Sequence, residues 1–246
     1  AFGANLKFGI YDQFGMNKDK LKDLLLFYSS EEKKMVTLQE YVSRMKEGQE
    51  GIYYACGETT GKIDLTPQVE QVKDKGYEIL YCTDYVDEFA LQTLMTYEEK
   101  KFLNVAKDNL NLDTDEEKEE VKKLNEDNKD MFTMMKETLP DIKEVRFTNR
   151  LKSHPVCLVS EGNISIEMEK VINAMPTDEQ IKAEKVLEIN KDHKIAKKLE
   201  HLYETDKEAL KDYTKILYAE ARLIEGLPID NPTEITSLIC DKLAEE

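Results

Sequence analysis

Residues 51–107, "GIYYACGETTGKIDLTPQVEQVKDKGYEILYCTDYVDEFALQTLMTYEEKKFLNVAK", decide how this chain is read. "GIYYACGE" is a short apolar run of the kind a buried strand carries. Thr66 with Pro67 at the first helical position opens a helix that Gly76 stops. "YEILYCTD" reads as the next strand, "YVDEFALQTLMTY" as the next helix and "KKFLNVAK" as a third strand. The order βαβαβ predicts a small parallel sheet with right-handed crossovers, an α/β unit. Upstream, a helix is expected around Lys18 to Tyr28.

The composition then changes. "LDTDEEKEEVKKLNEDNKD" is almost all charge, with Thr114 or Asp115 as a helix cap, and reads as a solvated helix face or a linker. A domain boundary is placed near Leu110, giving domains 1–110 and 111–246. Beyond it come a helix, strands at "KEVRFTN" and "PVCLVS", a helix, a strand at "KVLEIN" and helices to the end, an α+β pattern. The helix between the strands, "GNISIEMEKVINAMP" at 162–176, carries Ile164, Met168, Val171, Ile172 and Met175 on one stripe. Asn163 can cap its start and Pro176 ends it.

The chain closes on a helical hairpin. Asp206 caps a helix carrying Leu210, Tyr213, Leu217 and Ile224, and Gly226 with Pro228 stops it. Asn231, Pro232 and Glu234 start another, whose stripe is Ile235, Leu238, Ile239 and Leu243. A two-fold partner can cover such stripes as a four-helix bundle; packing on the chain's own sheet is the alternative.

The 246 residues are enough to bury two ordinary cores. With 51 acidic and 35 basic residues the formal charge is −16, which repels phosphate backbones and anionic lipid, so neither nucleic acid nor membrane is expected as a partner. Cys56, Cys82, Cys157 and Cys240 are scattered singly and read as buried free thiols of a reducing, cytoplasmic compartment. No run approaches the roughly 20 apolar residues of a membrane span. The first residues start without Met and inside an apolar pattern, as a fragment would.

Catalytic constellations are not found. No glycine-rich phosphate cradle follows a strand, and "ACGETTGK" at 55–62 lacks the spacing of one. His154, His193 and His201 have no partners at metal-ligand spacing, so no metal site is expected. The acidic pairs carry no acid–base argument without a pocket.

"TLQEYVSRMKEGQEGIYYACGE" and "GYEILYCTDYVDEFALQTL" resemble the ninety-kilodalton heat-shock protein chaperones, and so do "NRLKSHPVCLV", "LEINKDH" and "LYAEARLIEGLPIDNPTEIT", in the same order. The chain ends without the acidic pentapeptide of cytosolic eukaryotic members, and so resembles the bacterial type. The resemblance implies the end of the middle domain followed by the C-terminal dimerisation domain. It implies that the ATP and Mg site lies upstream, leaving a noncatalytic fragment with no cofactor of its own. It also implies a homodimer that contacts unfolded or partly folded client proteins. Ile164, Met168, Val171 and Ile172 would face the clients from the 162–176 helix, and Glu88, Phe89 and Gln92 from the α/β domain. Phe89 and Gln92 stand where bacterial members carry Trp and Asn, and Ile164 and Ile172 where they carry Met and Phe. The dimer contacts would be the two hairpin stripes. Two other readings stay open: a small-molecule transferase built on the βαβ unit, and a passive dimeric scaffold.

Overall fold

A computed structural model describes residues 2–107, 110, 112–176 and 180–244. It divides into two compact units, Ala1–Leu110 with Ile164–Lys182, and Asn111–Asn163 with Ala183–Glu246. The division differs from a single cut near Leu110 in assigning 164–182 to the first unit.

The first unit opens with α1 (Gly3–Tyr11) and α2 (Lys18–Leu21), then β1 (Leu26–Ser29), β2 (Met35–Thr37) and α3 (Leu38–Ser43). The helix expected up to Tyr28 therefore ends early, a 3-10 turn at Lys22–Leu24 leading into β1. Leu25 and Phe27 are buried while Leu26 is exposed, a two-residue period that outweighs the helical spacing of the leucines. The stretch 51–107 supplies β3 (Gly51–Cys56), α4 (Thr60–Asp64), α5 (Glu70–Asp74), β4 (Ile79–Cys82), α6 (Asp87–Leu94), β5 (Thr96–Tyr97) and β6 (Lys100–Asn104). The six strands run in the order β2-β1-β4-β3-β6-β5. β3 pairs in parallel with β4 and β6, while β1, β2 and β5 extend the sheet by antiparallel pairing, so it is mixed.

The central strands are apolar along their length because both faces are covered. Ile52, Tyr54 and Leu80 pack with Leu38, Tyr41, Ala90 and Leu91. Gly51 is dictated by close approach: a Cβ there would lie 2.5 Å from the Lys101 carbonyl oxygen on β6. Tyr41 is a buried hub whose hydroxyl donates to the Glu78 carbonyl at 2.6 Å and accepts from Gln49 Nε2 at 2.9 Å and the Tyr53 amide at 3.0 Å.

The second unit begins with α7 (Asp115–Asp127), α8 (Lys129–Thr138), β7 (Ile142–Thr148) and β8 (Val156–Glu161). Thr114 and Glu117 close a capping box at the start of α7, so the charged run is a surface helix. α9 (Ile166–Asn173) follows in the chain but belongs to the first unit. β9 (Glu184–Asn190), α10 (Lys194–Thr205), α11 (Lys207–Ile224) and α12 (Pro232–Ala244) complete the second. β9 lies between β7, parallel, and β8, antiparallel.

Arg146, Glu188 and Cys157 stand in one row across these three strands. Glu188 is buried and accepts from Arg146 Nη2 at 2.7 Å and Arg150 Nε at 2.9 Å. Burial alone would raise its pKa; the two guanidinium groups outweigh that and hold it below the ordinary carboxylate value. His193 is the N-cap of α10, its Nδ1 accepting from the Ile195 amide at 3.2 Å. Of the thiols, Cys82 and Cys157 are buried and Cys56 half-buried, but Cys240 is exposed, because α12 buries no residue.

Candidate functional site

Parallel strands β3 and β4 end side by side, with Cys56 opposite Cys82, and α6 starts just beyond them. Its first turn is anchored by charge. Lys7 of α1, buried, reaches Asp84 at 2.9 Å and Asp87 at 2.7 Å and lies 4.5 Å from the Phe27 ring centre. Burial works against the ammonium, but the two carboxylates prevail and raise the Lys7 pKa.

Glu88 follows, also buried. Its Oε1 accepts from Asn104 Nδ2 at 2.7 Å and its Oε2 from the Ser165 hydroxyl at 2.5 Å. Burial pushes the Glu88 pKa up, and the two hydrogen bonds and the nearby Lys107 charge only partly oppose this. Ser165 is the N-cap of α9 and accepts from the Met168 amide at 3.0 Å. The expected cap Asn163 therefore lies before the helix, because the Ser165 backbone is extended and its oxygen is in place for the third amide. The helix ends at Asn173, short of Pro176.

Met168 is 6% exposed, with Gln92 Nε2 3.1 Å from its sulfur. Val171 and Ile172 are half-buried, as is Ile164, which precedes the helix. Met175 is exposed. Phe89 is half-buried, edge-on to Tyr11 at 5.6 Å. Glu88, Met168 and Val171 thus line one cavity of about 190 Å³ together with Cys56, Cys82 and Glu167. Phe89 faces Tyr11 instead, and Met168 is turned onto α6 rather than left open. Ser165, Asn104 and Lys7 were not singled out in the sequence. Only the serine left a signal, standing three residues before an apolar helical position.

The hairpin is the other candidate surface. Leu210 and Leu217 are buried inside their own unit, whereas Tyr213, Ile224, Ile235 and Leu238 are half-buried. Ile239 is 38%, Leu243 69% and Leu223 63% exposed. Ion pairs fasten α12 to α11, Lys215 to Glu234 at 2.7 Å and Lys242 to Asp212 at 3.4 Å, and Arg222 of α11 holds Asp230 of the connecting turn at 2.7 Å. Such exposed pairs fix geometry more than stability. Among the described residues no group of three metal-ligating side chains is present, and no helix is long and apolar enough to cross a membrane.

The family model described as Hsp90 protein matches residues 1–246. The chaperone protein HtpG of Bacillus subtilis is 54% identical over 241 residues, 98% of this chain and 38% of that protein. The HtpG proteins of Oceanobacillus iheyensis and Clostridium acetobutylicum are each 56% identical, over 98% and 96% of this chain and 38% of their own length. The chain thus spans about 38% of the length of the curated relatives it matches. These figures correct two expectations. A match over the whole chain to the Hsp90 family and to HtpG chaperones overturns the expectation that this stretch is noncatalytic and free of ATP and Mg, and both readings are withdrawn.

Proposed function

Because the chain belongs to the Hsp90 family, we propose that it serves a chaperone as a dimerising and client-contacting part, with residues 1–110 in a client-facing domain and 111–246 in a dimerisation domain. The observation that carries this reading is the uncovered stripe of α12. Ile239 and Leu243 lie on it and Leu223 is exposed on α11, and an apolar surface of that kind calls for a partner. A second copy is the occupant proposed, since two α11–α12 hairpins related by a two-fold axis make a four-helix bundle.

The client surface is proposed around α9 and α6. Val171 and Ile172 are half-buried and Met175 is exposed, while Gln92 is exposed and Phe89 half-buried on α6. Glu88, Met168 and Ile164 contribute by holding the start of α9 in place. Clients are unfolded or partly folded chains, and the compartment is the cytoplasm. A transferase is disfavoured because the cavity at the strand ends presents thiols, a thioether and carboxylates, which do not suit a phosphate.

Sedimentation of the chain at micromolar concentration tests the dimer, and retention of a partly unfolded model protein tests the client surface. A wild-type chain that sediments as a monomer and leaves the model protein free would reject the proposal.

A further inference from the structure

The cavity at the ends of β3 and β4 holds two sulfurs that neither dimerisation nor client contact uses. Cys56 is the register partner of Cys82 on adjacent parallel strands, and both side chains line the cavity of about 190 Å³. Neighbouring strands lie about 4.7–4.9 Å apart, inside the 4.4–6.8 Å Cα separation that a disulfide spans. Register partners on adjacent strands project to the same face of a sheet, and the neighbouring Cys82 thiol, ahead of burial, raises the Cys56 pKa. Cys56 is half-buried and Cys82 buried.

We propose that Cys56 and Cys82 form a redox-modifiable dithiol, which a small two-electron oxidant of thiols entering this cavity closes to an intrachain disulfide. A metal is not the ligand proposed, since among the described residues no third His, Cys, Asp or Glu joins the pair in a coordinating group.

With diamide as the oxidant the step balances as follows. The more accessible Cys56 sulfur adds to one nitrogen of the N=N bond, forming an S–N bond, and the other nitrogen takes up a proton. The Cys82 sulfur then attacks the Cys56 sulfur, the S–S bond forms and the S–N bond breaks. Its electron pair and the second proton leave on the hydrazine. The dithiol loses two electrons and two protons, and the azo group gains both.

The test uses the full chain carrying Cys240→Ser, which removes the exposed thiol and leaves three of the four cysteines. After diamide treatment and removal of excess reagent, the denatured chain is expected to show one titratable thiol, and peptide mapping should find residue 56 linked to residue 82. Dithiothreitol should restore all three. The chain with both Cys240→Ser and Cys82→Ser, checked for native circular dichroism, should form no intrachain disulfide. Three thiols remaining after treatment, a stable diamide adduct on Cys56 with no S–S bond, or a disulfide that involves Cys157 would each overturn the proposal.

Discussion

The Ser165 hydroxyl donates to Glu88 at 2.5 Å while accepting from the Met168 amide at 3.0 Å, so a single oxygen both starts α9 and satisfies a buried carboxylate on α6. Removing either partner takes one hydrogen bond from a buried group of the other: Glu88 would keep only Asn104, and Ser165 only the Met168 amide. Glu88→Ala would strand the Ser165 hydroxyl and the Asn104 amide, and should cost about 1–3 kcal/mol in urea unfolding. Glu88→Gln keeps one acceptor oxygen and should cost less. Equal losses in the two variants would show that the hydrogen bonds are not what matters there.

The same carboxylate sets a pH dependence. Its folded pKa is raised above the ordinary 4.5, so between that value and the folded pKa the native chain holds a proton that the unfolded chain has lost. Its share of stability is therefore present in acid and lost as the pH rises through the folded pKa. Glu188 runs the other way: its folded pKa is lowered from 4.5, so its contribution is present above 4.5 and lost as the pH falls through the folded value. Glu88→Gln should flatten stability against pH above 4.5, and Glu188→Gln should flatten it below. Unfolding midpoints across a pH series decide both.

Met168 and Ile172 should separate stability from binding. Met168 is 6% exposed, so Met168→Ala should cost about 2–5 kcal/mol through lost transfer energy and the cavity left behind. Ile172 is half-buried, and Ile172→Ser should cost clearly less while weakening capture of a partly unfolded model protein. Client binding unchanged in Ile172→Ser would remove α9 from the client surface.

On the hairpin, Ile239→Glu or Leu243→Glu places a charge on the uncovered stripe. Either should yield a folded monomer by analytical ultracentrifugation, because pairing would bury that charge without a partner. Leu217→Glu should instead unfold the second unit, since Leu217 is buried within it. Folded dimers in both stripe variants would move the interface elsewhere.

In the second unit, Arg150→Ala leaves Glu188 with only Arg146 for its charge. Thermal or urea unfolding should show a loss of about 3–5 kcal/mol, the range for breaking a buried ion pair by removing one partner.

The strands β3, β4, β6, β8 and β9 were legible because each is a short apolar run between turn residues, and α11 and α12 because both carry capping residues and a stripe. β1 was not legible: Leu24, Leu25 and Leu26 fit a helix as well as a strand, and it is the pairing of β1 with β2 and β4 that selects the strand. At the candidate site, periodicity put Met168 on an apolar face but could not say what that face meets. The answer depends on Gln92 and Glu88, more than 70 residues away in the chain. The unmatched stripe of α12 was visible as a pattern, whereas the burial of Leu210 and Leu217 on the same hairpin depends on their packing in the folded unit.

Because Ile164–Lys182 completes a unit whose other residues end at Leu110, the order of synthesis matters. A ribosome adding about 5–20 residues per second takes roughly 4–14 s to pass from the end of the first stretch to the end of the second. During that interval the nascent first unit lacks the Ser165 hydroxyl that pairs with Glu88, and the Met168 face of α6 is bare. The emerging chain is for those seconds itself an incompletely folded protein, its apolar α6 surface open until α9 arrives.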